Sequence, residues 1–316
     1  MSSIVPEGAT RLTVVGAPQI AERKPKWLKH DVPLAGPAYR ELKGVMRGLS
    51  LNTVCEQAAC PNIHECWENR EASFLIGGNE CTRNCGFCQI ATGKPAAYDT
   101  DEPRRVAEAV EAMGLNFAVV TGVARDDLAD GGAWLFAETC RQIKLRLPGC
   151  GVELLIPDFA RSQEALQVVL DAEPDVLSHN LETVRRLFRH IRPAFRYDDT
   201  LALLERARAG LPAHCATKSN LILGMGENQD EVIAAMRDLR AVGTQILTIG
   251  QYLQPTHNHL ALQRYVEPSE FAHYAQVGRE LGFDHVESGP LVRSSYRAGT
   301  QAQNAGVWTK PVHAPV

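Results

Sequence analysis

The sequence has no run of about 18 uninterrupted apolar residues, which is the length that a helix needs to cross a bilayer. It also begins without a basic segment followed by an apolar block, so we expect no secretory signal, no membrane partner and a cytoplasmic protein. Positive charge is not in excess, with 33 basic against 37 acidic residues and a formal net charge of -4. This balance excludes a nucleic-acid partner bound by broad neutralisation of phosphates.

Cysteine is scarce except in one short region. The sequence has 9 cysteines in 316 residues, and six of them form two triplets, spaced C-x4-C-x5-C and C-x3-C-x2-C. The first triplet is Cys55, Cys60 and Cys66, and the second triplet is Cys81, Cys85 and Cys88. Because a 4Fe–4S cube normally takes one thiolate on each iron, three thiols leave one iron open to a different ligand. The grouping predicts two metal centres, and Gly86 lets the second loop fold closely around a bulky cube.

Two other interpretations of these cysteines stay open on spacing alone. His64 lies inside the first triplet, so a structural zinc site with three cysteines and one histidine is an alternative, although zinc motifs usually pair their cysteines as C-x2-C. Disulfides are the other alternative, but neither the cysteine content nor the N terminus indicates an oxidising compartment. Cys140, Cys150 and Cys215 lie in apolar surroundings and are predicted to pack as small buried side chains.

After the cysteines, short β-branched runs alternate with longer amphipathic stretches, which is typical of β–α units around a parallel sheet. The predicted strands are 74–78, 117–122, 152–157, 176–179, 219–224, 245–250 and a short 285–288. The predicted helices are 103–113, 133–147, 162–172, 181–190, 200–209, 229–242 and 268–281. We therefore predict an α/β fold, a partial (β/α)6 TIM-type barrel with N-terminal and C-terminal extensions. A doubly wound open sheet is the competing fold.

Four segments are predicted along the chain. Residues 1–50 contain many prolines and are predicted to form an extended N-terminal arm. The first triplet lies in a separate auxiliary segment at 51–72, and the barrel is predicted at 73–290. A C-terminal segment at 291–316 carries the motif RSSY, and we expect the tail after Tyr296 to fray.

The active sites of barrels of this type lie at the C-terminal ends of the strands. The second triplet follows the first predicted strand, and the polar segments 121–132, 179–182 and 251–257 follow later ones. We expect all of them to converge on one face. The acidic run 126–130 could suggest a metal site, but we favour a loop that caps the next helix.

The two triplets and four further motifs resemble one family. The motifs are CEQAACPNIHECW at 55–67, CTRNCGFCQIATGKP at 81–95, DDLADGG at 126–132, HNLET at 179–183, GQYLQP at 250–255 and RSSY at 293–296. Together they are similar to the lipoyl synthase family of radical S-adenosylmethionine (SAM) enzymes. Enzymes of the biotin-synthase type differ in the auxiliary site and the C-terminal motif, and they remain the first rival. An iron–sulfur or zinc module for electron transfer or assembly is the second.

The resemblance implies a sulfurtransferase of lipoate biosynthesis, which inserts two sulfur atoms at C6 and C8 of a protein-bound N6-octanoyl-lysine. These carbons bear unactivated C–H bonds, so a radical route supplied by cofactors is needed. The second triplet is implied to hold a 4Fe–4S cluster that binds SAM and yields a 5′-deoxyadenosyl radical. The first triplet, with Ser295 as fourth ligand, is implied to hold an auxiliary 4Fe–4S cluster that donates the sulfur. An alkoxide suits iron–sulfur clusters poorly, so Ser295 is expected to ease release of the auxiliary cluster.

The resemblance also implies several partners. The substrates are octanoylated lipoyl carrier domains, namely the E2 subunits of 2-oxoacid dehydrogenases and the H protein of glycine cleavage. A ferredoxin or flavodoxin is the implied reductant, and an iron–sulfur carrier protein is the implied source of new clusters. For SAM itself, strand-end polar groups can bond a ribose and a zwitterion, and the alternative for each is a cap or turn role. The candidates are Thr121, Asn180, Glu182 and Arg192.

Overall fold

The computed structural model describes residues 23–29, 36–95 and 98–309, and its centre is an eight-stranded sheet. The strands in chain order are β1 (Asn52–Thr53), β2 (Ser73–Ile76), β3 (Glu80–Cys81), β4 (Ala91–Thr92), β5 (Phe117–Gly122), β6 (Gly151–Leu155), β7 (Val176–Ser178), β8 (Ala216–Leu223), β9 (Ile246–Gln251) and β10 (His285–Ser288). The large sheet has the order β1-β2-β5-β6-β7-β8-β9-β10, and β3 pairs only with β4. Its neighbours are parallel except for β1, which runs antiparallel to β2. The edge strands β1 and β10 leave the barrel open.

Helices connect the parallel strands and cover them. They are α1 (Pro37–Gly48), α2 (Val54–Gln57), α3 (Ile63–Glu68), α4 (Glu102–Ala112), α5 (Ala133–Arg146), α6 (Gln163–Leu170), α7 (Arg185–Ile191), α8 (Tyr197–Gly210), α9 (Gln229–Ala241), α10 (Pro268–Glu280) and α11 (Ala298–Asn304). Lys26–Leu28 and Phe159–Arg161 form single 3-10 turns. Of the helices in the described ranges, none combines the length and apolar character that a membrane span requires.

The predicted partial barrel is confirmed, because six β–α units run from β2 to α10 and β10 follows them. Strands β5 and β10 have the predicted bounds, and the other predicted strands differ by a few residues. The helix predicted at 181–190 begins later, at Arg185. The preceding residues pair with β8 instead, since the Glu182 N–H donates to the Asn220 carbonyl and the Glu182 carbonyl accepts from the Ile222 N–H, both at 2.8 Å.

Local signals define where several helices begin. The Asn228 side chain accepts from the Glu231 N–H, and the Glu231 carboxylate accepts from the Asn228 N–H, both at 2.9 Å. This reciprocal pair satisfies two of the amide groups that a helix start leaves without partners. Ser162 caps α6 in a similar way by accepting from the Ala165 N–H. These caps explain why the predicted starts of α6 and α9 lie so close to the observed ones.

The prediction of an extended arm at residues 1–50 is wrong for the part that the structure describes at its end. Residues 37–48 form α1, which starts at a proline that tolerates the first helical position. Leu42 and Met46 are spaced one turn apart, and both are buried in the cluster that contains Trp67. This apolar stripe outweighs the local proline content. Residues 1–22 and 30–35 of the predicted arm lie outside the described residues.

Helix α1 carries a glycine that its backbone does not need. Gly44 lies in the middle of α1, and a Cβ built there meets no atom within 4 Å. We expect Gly44→Ala to stabilise the iron-free protein by about 0.5–1 kcal/mol, because glycine loses more backbone entropy in a helix than alanine does. Thermal unfolding followed by circular dichroism measures this. Gly306→Ala is the matched control, since its site is equally open but has a φ of +74°, where alanine is strained. It should lower the midpoint.

The expectation that the tail after Tyr296 frays is also wrong as far as residue 309. Residues 298–304 form α11, whose Ala298 and Ala302 pack with Phe117 at the N-terminal ends of the strands. Trp308 then contacts Phe117 edge-on, with ring centroids 5.2 Å apart. These contacts hold the C-terminal segment against the N-terminal ends of the barrel strands. Residues 310–316 lie outside the described residues.

Candidate active site

The first triplet lies on two short helices beside β2. Cys55 is in α2, Cys66 is in α3, and Cys60 lies between them. Helix α2 ends in a tight reversal, in which the Cys60 N–H donates to the Cys55 carbonyl at 3.0 Å and the Ala59 N–H to the Glu56 carbonyl at 3.2 Å. Ala59 has a φ of +46° at the point of reversal. This pair of bonds is the Schellman ending of a helix, and it returns Cys60 towards Cys55.

The second triplet lies on the loop after β2, as predicted. The Cys81 sulfur accepts a hydrogen bond from the Ala124 N–H at 3.3 Å, so the loop that follows β5 fixes its position. Gly86 lies between the other two cysteines and bonds to the end of α7 and to the loop after β9. Its N–H donates to the Ile191 carbonyl at 2.9 Å, and its carbonyl accepts from the Leu260 N–H at 2.8 Å. Three separate parts of the barrel therefore hold this loop at the C-terminal ends of the strands.

The thiols within each triplet lie close enough to affect one another. Burial raises the pKa of Cys55 to about 11, and neighbouring Cys60 contributes to the shift. Burial raises the pKa of Cys88 to about 12, with contributions from Cys85 and Cys81. All nine cysteines are free, so no disulfide forms among them. Metal binding has to displace the thiol protons, which couples the binding of iron to their release.

His64 is the histidine that the zinc alternative requires. His64 stacks on Tyr39 with ring centroids 4.7 Å apart. Across residues 23–29, 36–95 and 98–309, no three His, Cys, Asp or Glu side chains are grouped around one metal ion. A tetrahedral zinc needs its sulfurs about 2.3 Å from a single point, whereas a cubane takes each thiolate on a different iron. A cubane therefore does not require its three thiolates to meet at one point.

Both triplets border one cavity of about 580 Å³ at the C-terminal face of the barrel. This volume lies in the range of about 300–1,000 Å³ that is usual for ligand sites. The predicted site residues on its wall are Cys55, Cys60, Cys81, Cys85, Cys88, Thr121, Asn180, Glu182, Arg192 and Ser295. A smaller cavity of about 30 Å³ adjoins the first triplet and is lined by all three of its cysteines together with Ser295. The structure thus brings every predicted site residue to one of these two spaces.

Contacts with α3 hold the RSSY segment beside the first triplet. The Asn62 side-chain amide donates to the Leu291 carbonyl at 2.7 Å, before the motif. The Tyr296 hydroxyl, at the end of the motif, donates to the Glu65 carboxylate at 2.9 Å. Ser295 lies between these two anchors, facing the cysteines of the same helix pair. Sequence spacing alone does not reveal this arrangement, because the partners are more than 200 residues apart.

A glycine on β9 permits the close approach of the same segment. A Cβ at Gly250 would lie 2.1 Å from the Val292 carbonyl oxygen, which is far below any real contact distance. Only glycine lets the backbone around Val292 lie directly against the strand. Gly250 was part of a family motif in the sequence, but no property of the sequence indicated this contact.

The polar side of the cavity is built around a buried carboxylate. Glu182 accepts hydrogen bonds from the side-chain amides of Asn180 at 2.9 Å and Asn220 at 2.8 Å. Burial raises the pKa of Glu182, and the nearby Arg192 opposes this shift. The residue also has a φ of +70°, an unfavourable backbone conformation for glutamate. A strained, buried carboxylate on a cavity wall is a feature that concentrates at functional sites.

Two buried polar atoms on this wall are free to bind a ligand. Within the part of the chain that the structure describes, neither Asn180 Oδ1 nor Arg192 Nε has a hydrogen-bond partner. Leaving such atoms unpaired costs free energy. A polar ligand that forms hydrogen bonds with them therefore binds more tightly. Thr121 differs, because its hydroxyl already donates to the Leu155 carbonyl at 2.9 Å. These orphaned atoms fit a zwitterionic cofactor.

Arg83, which sequence reasoning missed, lies between Cys81 and Cys85 of the second triplet. Its guanidinium forms ion pairs with Asp126 at 2.7 Å and Asp158 at 2.6 Å. It also stacks on the Phe195 ring at 4.4 Å, while Arg192 stacks on that ring at 3.9 Å. The two guanidinium groups therefore share one aromatic side chain in the cavity wall. Their order in the sequence gave no signal for this stack.

In the acidic run 126–130, one carboxylate caps the start of α5 and the others form ion pairs. Asp130 accepts from the Gly132 N–H at 2.9 Å and the Trp134 N–H at 2.8 Å, so the prediction of a loop that caps the next helix is confirmed there. Asp127 instead pairs with Arg125 at 2.8 Å. These carboxylates are committed to partners within the protein.

Comparison with known proteins agrees with this geometry. The model of the radical SAM superfamily matches residues 75–239, and the model of the N-terminal domain of lipoyl synthase of the radical SAM family matches residues 13–60. Among solved structures, methylornithine synthase (PylB) has a TM-score of 0.50 at 12% identity, covering 78% of this chain and 81% of that chain. HydG, a maturase of the FeFe-hydrogenase, has a TM-score of 0.54 at 16% identity, covering 75% of this chain and 55% of that chain. At such identities the likeness shows the fold alone.

Curated relatives are far more similar in sequence. The lipoyl synthase of Frankia alni is 57% identical over 96% of this chain and 92% of that protein. The lipoyl synthase of Nocardia farcinica is 61% identical over 88% of this chain and 78% of that protein. The lipoyl synthase of Mycolicibacterium smegmatis is 59% identical over 94% of both proteins. With this identity over nearly its whole length, the chain belongs to the lipoyl synthase family of radical SAM enzymes.

Proposed function

We propose that the two triplets hold two 4Fe–4S clusters that act together on one acyl chain. The first triplet and Ser295 bind the auxiliary cluster, which is consumed as the sulfur donor. The second triplet binds the cluster that engages SAM. The observation that carries the proposal is that a single cavity of about 580 Å³ is lined by Ser295, by two cysteines of the first triplet and by all three of the second. An octanoyl chain in this cavity reaches both centres without leaving the protein.

When bound, the cluster of the second triplet and SAM supply an organic radical that removes hydrogen from unactivated C–H bonds. The protein's own residues hold the reactants in register. The loop around Gly86 is hydrogen-bonded to the end of α7 and to the loop after β9, so the second triplet has a fixed position relative to the barrel. The RSSY anchors on α3 fix Ser295 relative to the first triplet. Holding both centres on rigid supports lowers the entropic part of the barrier.

The polar wall suits the charged end of SAM. Asn180 Oδ1 accepts a hydrogen bond from an ammonium or a ribose hydroxyl, and Arg192 Nε donates one to a carboxylate. Glu182 is held by two amides and adds a negative charge for the ammonium. Thr121 contributes a lone pair only, because its proton is already donated. These assignments give the ammonium, the carboxylate and a ribose hydroxyl of the cofactor complementary partners.

We expect Arg192→Lys to weaken SAM binding to the reconstituted enzyme about tenfold. Lysine lacks the Nε donor and the planar face that stacks on Phe195 at 3.9 Å. The loss of binding free energy therefore exceeds that of one ordinary hydrogen bond. Equilibrium dialysis with labelled SAM measures the dissociation constant. Arg196→Lys is the matched control, because Arg196 is exposed at the start of α8. An unchanged dissociation constant in Arg192→Lys contradicts the assignment.

The apolar wall suits the acyl chain. Apolar residues of the cavity wall lie beside and between the first-triplet cysteines, on β2 and β8, and in the C-terminal segment. They are Val54, Ala58, Ala59, Leu75, Ile222 and Val292. Moving an acyl chain from water to such a surface is favourable by about 0.8 kcal/mol per methylene. The octanoyl group of a lipoyl carrier domain therefore enters from the open face of the barrel. The carrier proteins, the ferredoxin or flavodoxin reductant, the iron–sulfur carrier and the cytoplasmic location belong to the same proposal.

Anaerobic reconstitution tests the proposal as a whole. We expect about eight irons per chain, since each cubane holds four. An octanoylated lipoyl-domain peptide, SAM and reductant should then give a product in which two hydrogens are replaced by sulfur, identified by mass spectrometry. Two zinc ions and no cleavage of SAM would support a structural or electron-transfer module instead.

A further inference from the structure

We propose that Glu65 is a positioning residue that keeps the Ser295 hydroxyl against the first triplet. This inference rests on the proposed function, because it concerns the fourth ligand of the auxiliary cluster. Glu65 lies in α3 next to Cys66, and its carboxylate contacts the two residues that directly follow Ser295. One side chain therefore links a cysteine helix to the serine that completes the site.

The contacts of Glu65 define a latch, which consists of Glu65, Tyr296 and Arg297. The Tyr296 hydroxyl donates to Glu65 Oε1 at 2.9 Å, and Arg297 Nη2 donates to the same oxygen at 3.0 Å. The Arg297 side chain is 52% exposed, so solvent screens its ion pair. The Tyr296 bond is partly buried and is the stronger member of the latch.

The backbone around Ser295 needs such support. Arg297 has a φ of +52°, which is unfavourable for a residue with a side chain and marks a sharp change of direction before α11. On the other side of Ser295, the Asn62 amide holds the Leu291 carbonyl at 2.7 Å. Ser295 thus lies on a short span with an anchor at each end. The latch is the anchor on the side where the backbone is strained.

The latch matters because the serine bond is the weakest in the set. An alkoxide is a harder ligand than a thiolate and suits sulfide-bridged iron less well. If the latch is loosened, Ser295 leaves its iron more often, and that iron becomes accessible to a chelator. The three cysteine bonds are unaffected, because the cysteines lie in α2, in α3 and in the segment between them, outside the RSSY segment.

Iron release from the full-length chain tests this inference. The second triplet is replaced by alanine, so that only the first triplet holds iron, and the cluster is reconstituted anaerobically. We expect Glu65→Gln and Tyr296→Phe to release about one iron in four to a chelator roughly tenfold faster than the same protein without these substitutions. In the iron-free protein, the same variants should speed hydrogen exchange in residues 291–297 without lowering the unfolding midpoint.

Two matched controls separate the latch from a general loss of stability. Glu68→Gln changes another glutamate near the end of α3, whose carboxylate accepts from the Tyr39 N–H of α1. Tyr274→Phe removes another tyrosine–glutamate bond, 2.8 Å long, within α10. Both should release iron at the unmodified rate. Release at that same rate from Glu65→Gln and Tyr296→Phe overturns the latch, whereas a first triplet that binds no iron at all overturns the proposed function.

Discussion

Replacing Ser295 with cysteine is expected to lower lipoyl formation roughly a hundredfold while the iron content stays unchanged. Ser295 lines both the large cavity and the small cavity that holds the first-triplet cysteines. Cysteine offers a soft thiolate in nearly the same volume, so the auxiliary cluster gains a fourth strong bond. A cluster that must come apart to deliver sulfur is then harder to open. Product mass spectrometry and iron analysis of the same sample measure both quantities.

The neighbouring serine provides the comparison. Ser294 lines the large cavity but does not line the small one. We expect Ser294→Cys to lower lipoyl formation by less than about tenfold, because the new cysteine does not add a ligand to the auxiliary cluster. Undiminished turnover in Ser295→Cys, or equal losses in both variants, would remove Ser295 from its assigned role.

Gly250→Ala is also expected to lower lipoyl formation roughly a hundredfold, although Gly250 is not a ligand of either cluster. The added methyl group would lie 2.1 Å from the Val292 carbonyl oxygen, so the backbone that leads into RSSY must move away from β9. Ser295 is three residues further along and moves with it. Displacement by about 1 Å is enough to cost about a hundredfold in rate. Steady-state product formation measures the loss, and iron analysis shows whether the first triplet still holds its cluster.

Gly289→Ala is the matched control for this prediction. Its Cβ would meet only the side-chain methyl of Val292, at 3.3 Å, and a side chain can adjust by rotation. We expect activity within about threefold of the unmodified enzyme. If Gly250→Ala behaves like Gly289→Ala, the close approach of β9 and the C-terminal segment does not position Ser295.

The barrel could be predicted because its strands and helices are specified locally. The run at β5 is apolar and β-branched, and every residue needed to recognise it lies within six positions. Helices α1 and α11 were missed for the opposite reason. Their apolar faces are narrow, and they become helical because Trp67 and Phe117 lie where Met46 and Ala302 can cover them. Packing partners from distant parts of the chain outweighed the local signals.

The site divides in the same way. The cysteines were recognisable because their spacing is a local property of the chain. The contacts that hold the site together were not recognisable, because their two residues are far apart in the sequence and meet only in the folded protein. Glu65 and Tyr296 are separated by 231 residues. Lys218 and Glu153, which form a fully buried ion pair of 2.8 Å inside the barrel, are separated by 65. Neither pairing has a sequence period that could indicate it.

The source of the sulfur atoms tests the central claim most directly. The enzyme is reconstituted with sulfide of a heavy sulfur isotope, freed of unbound sulfide, and given an octanoylated lipoyl-domain peptide, SAM and reductant. If the two triplets share one cavity and the auxiliary cluster is the donor, the product carries heavy sulfur at both positions. A product with light sulfur, or formation of 5′-deoxyadenosine without any sulfur-bearing product, contradicts the account.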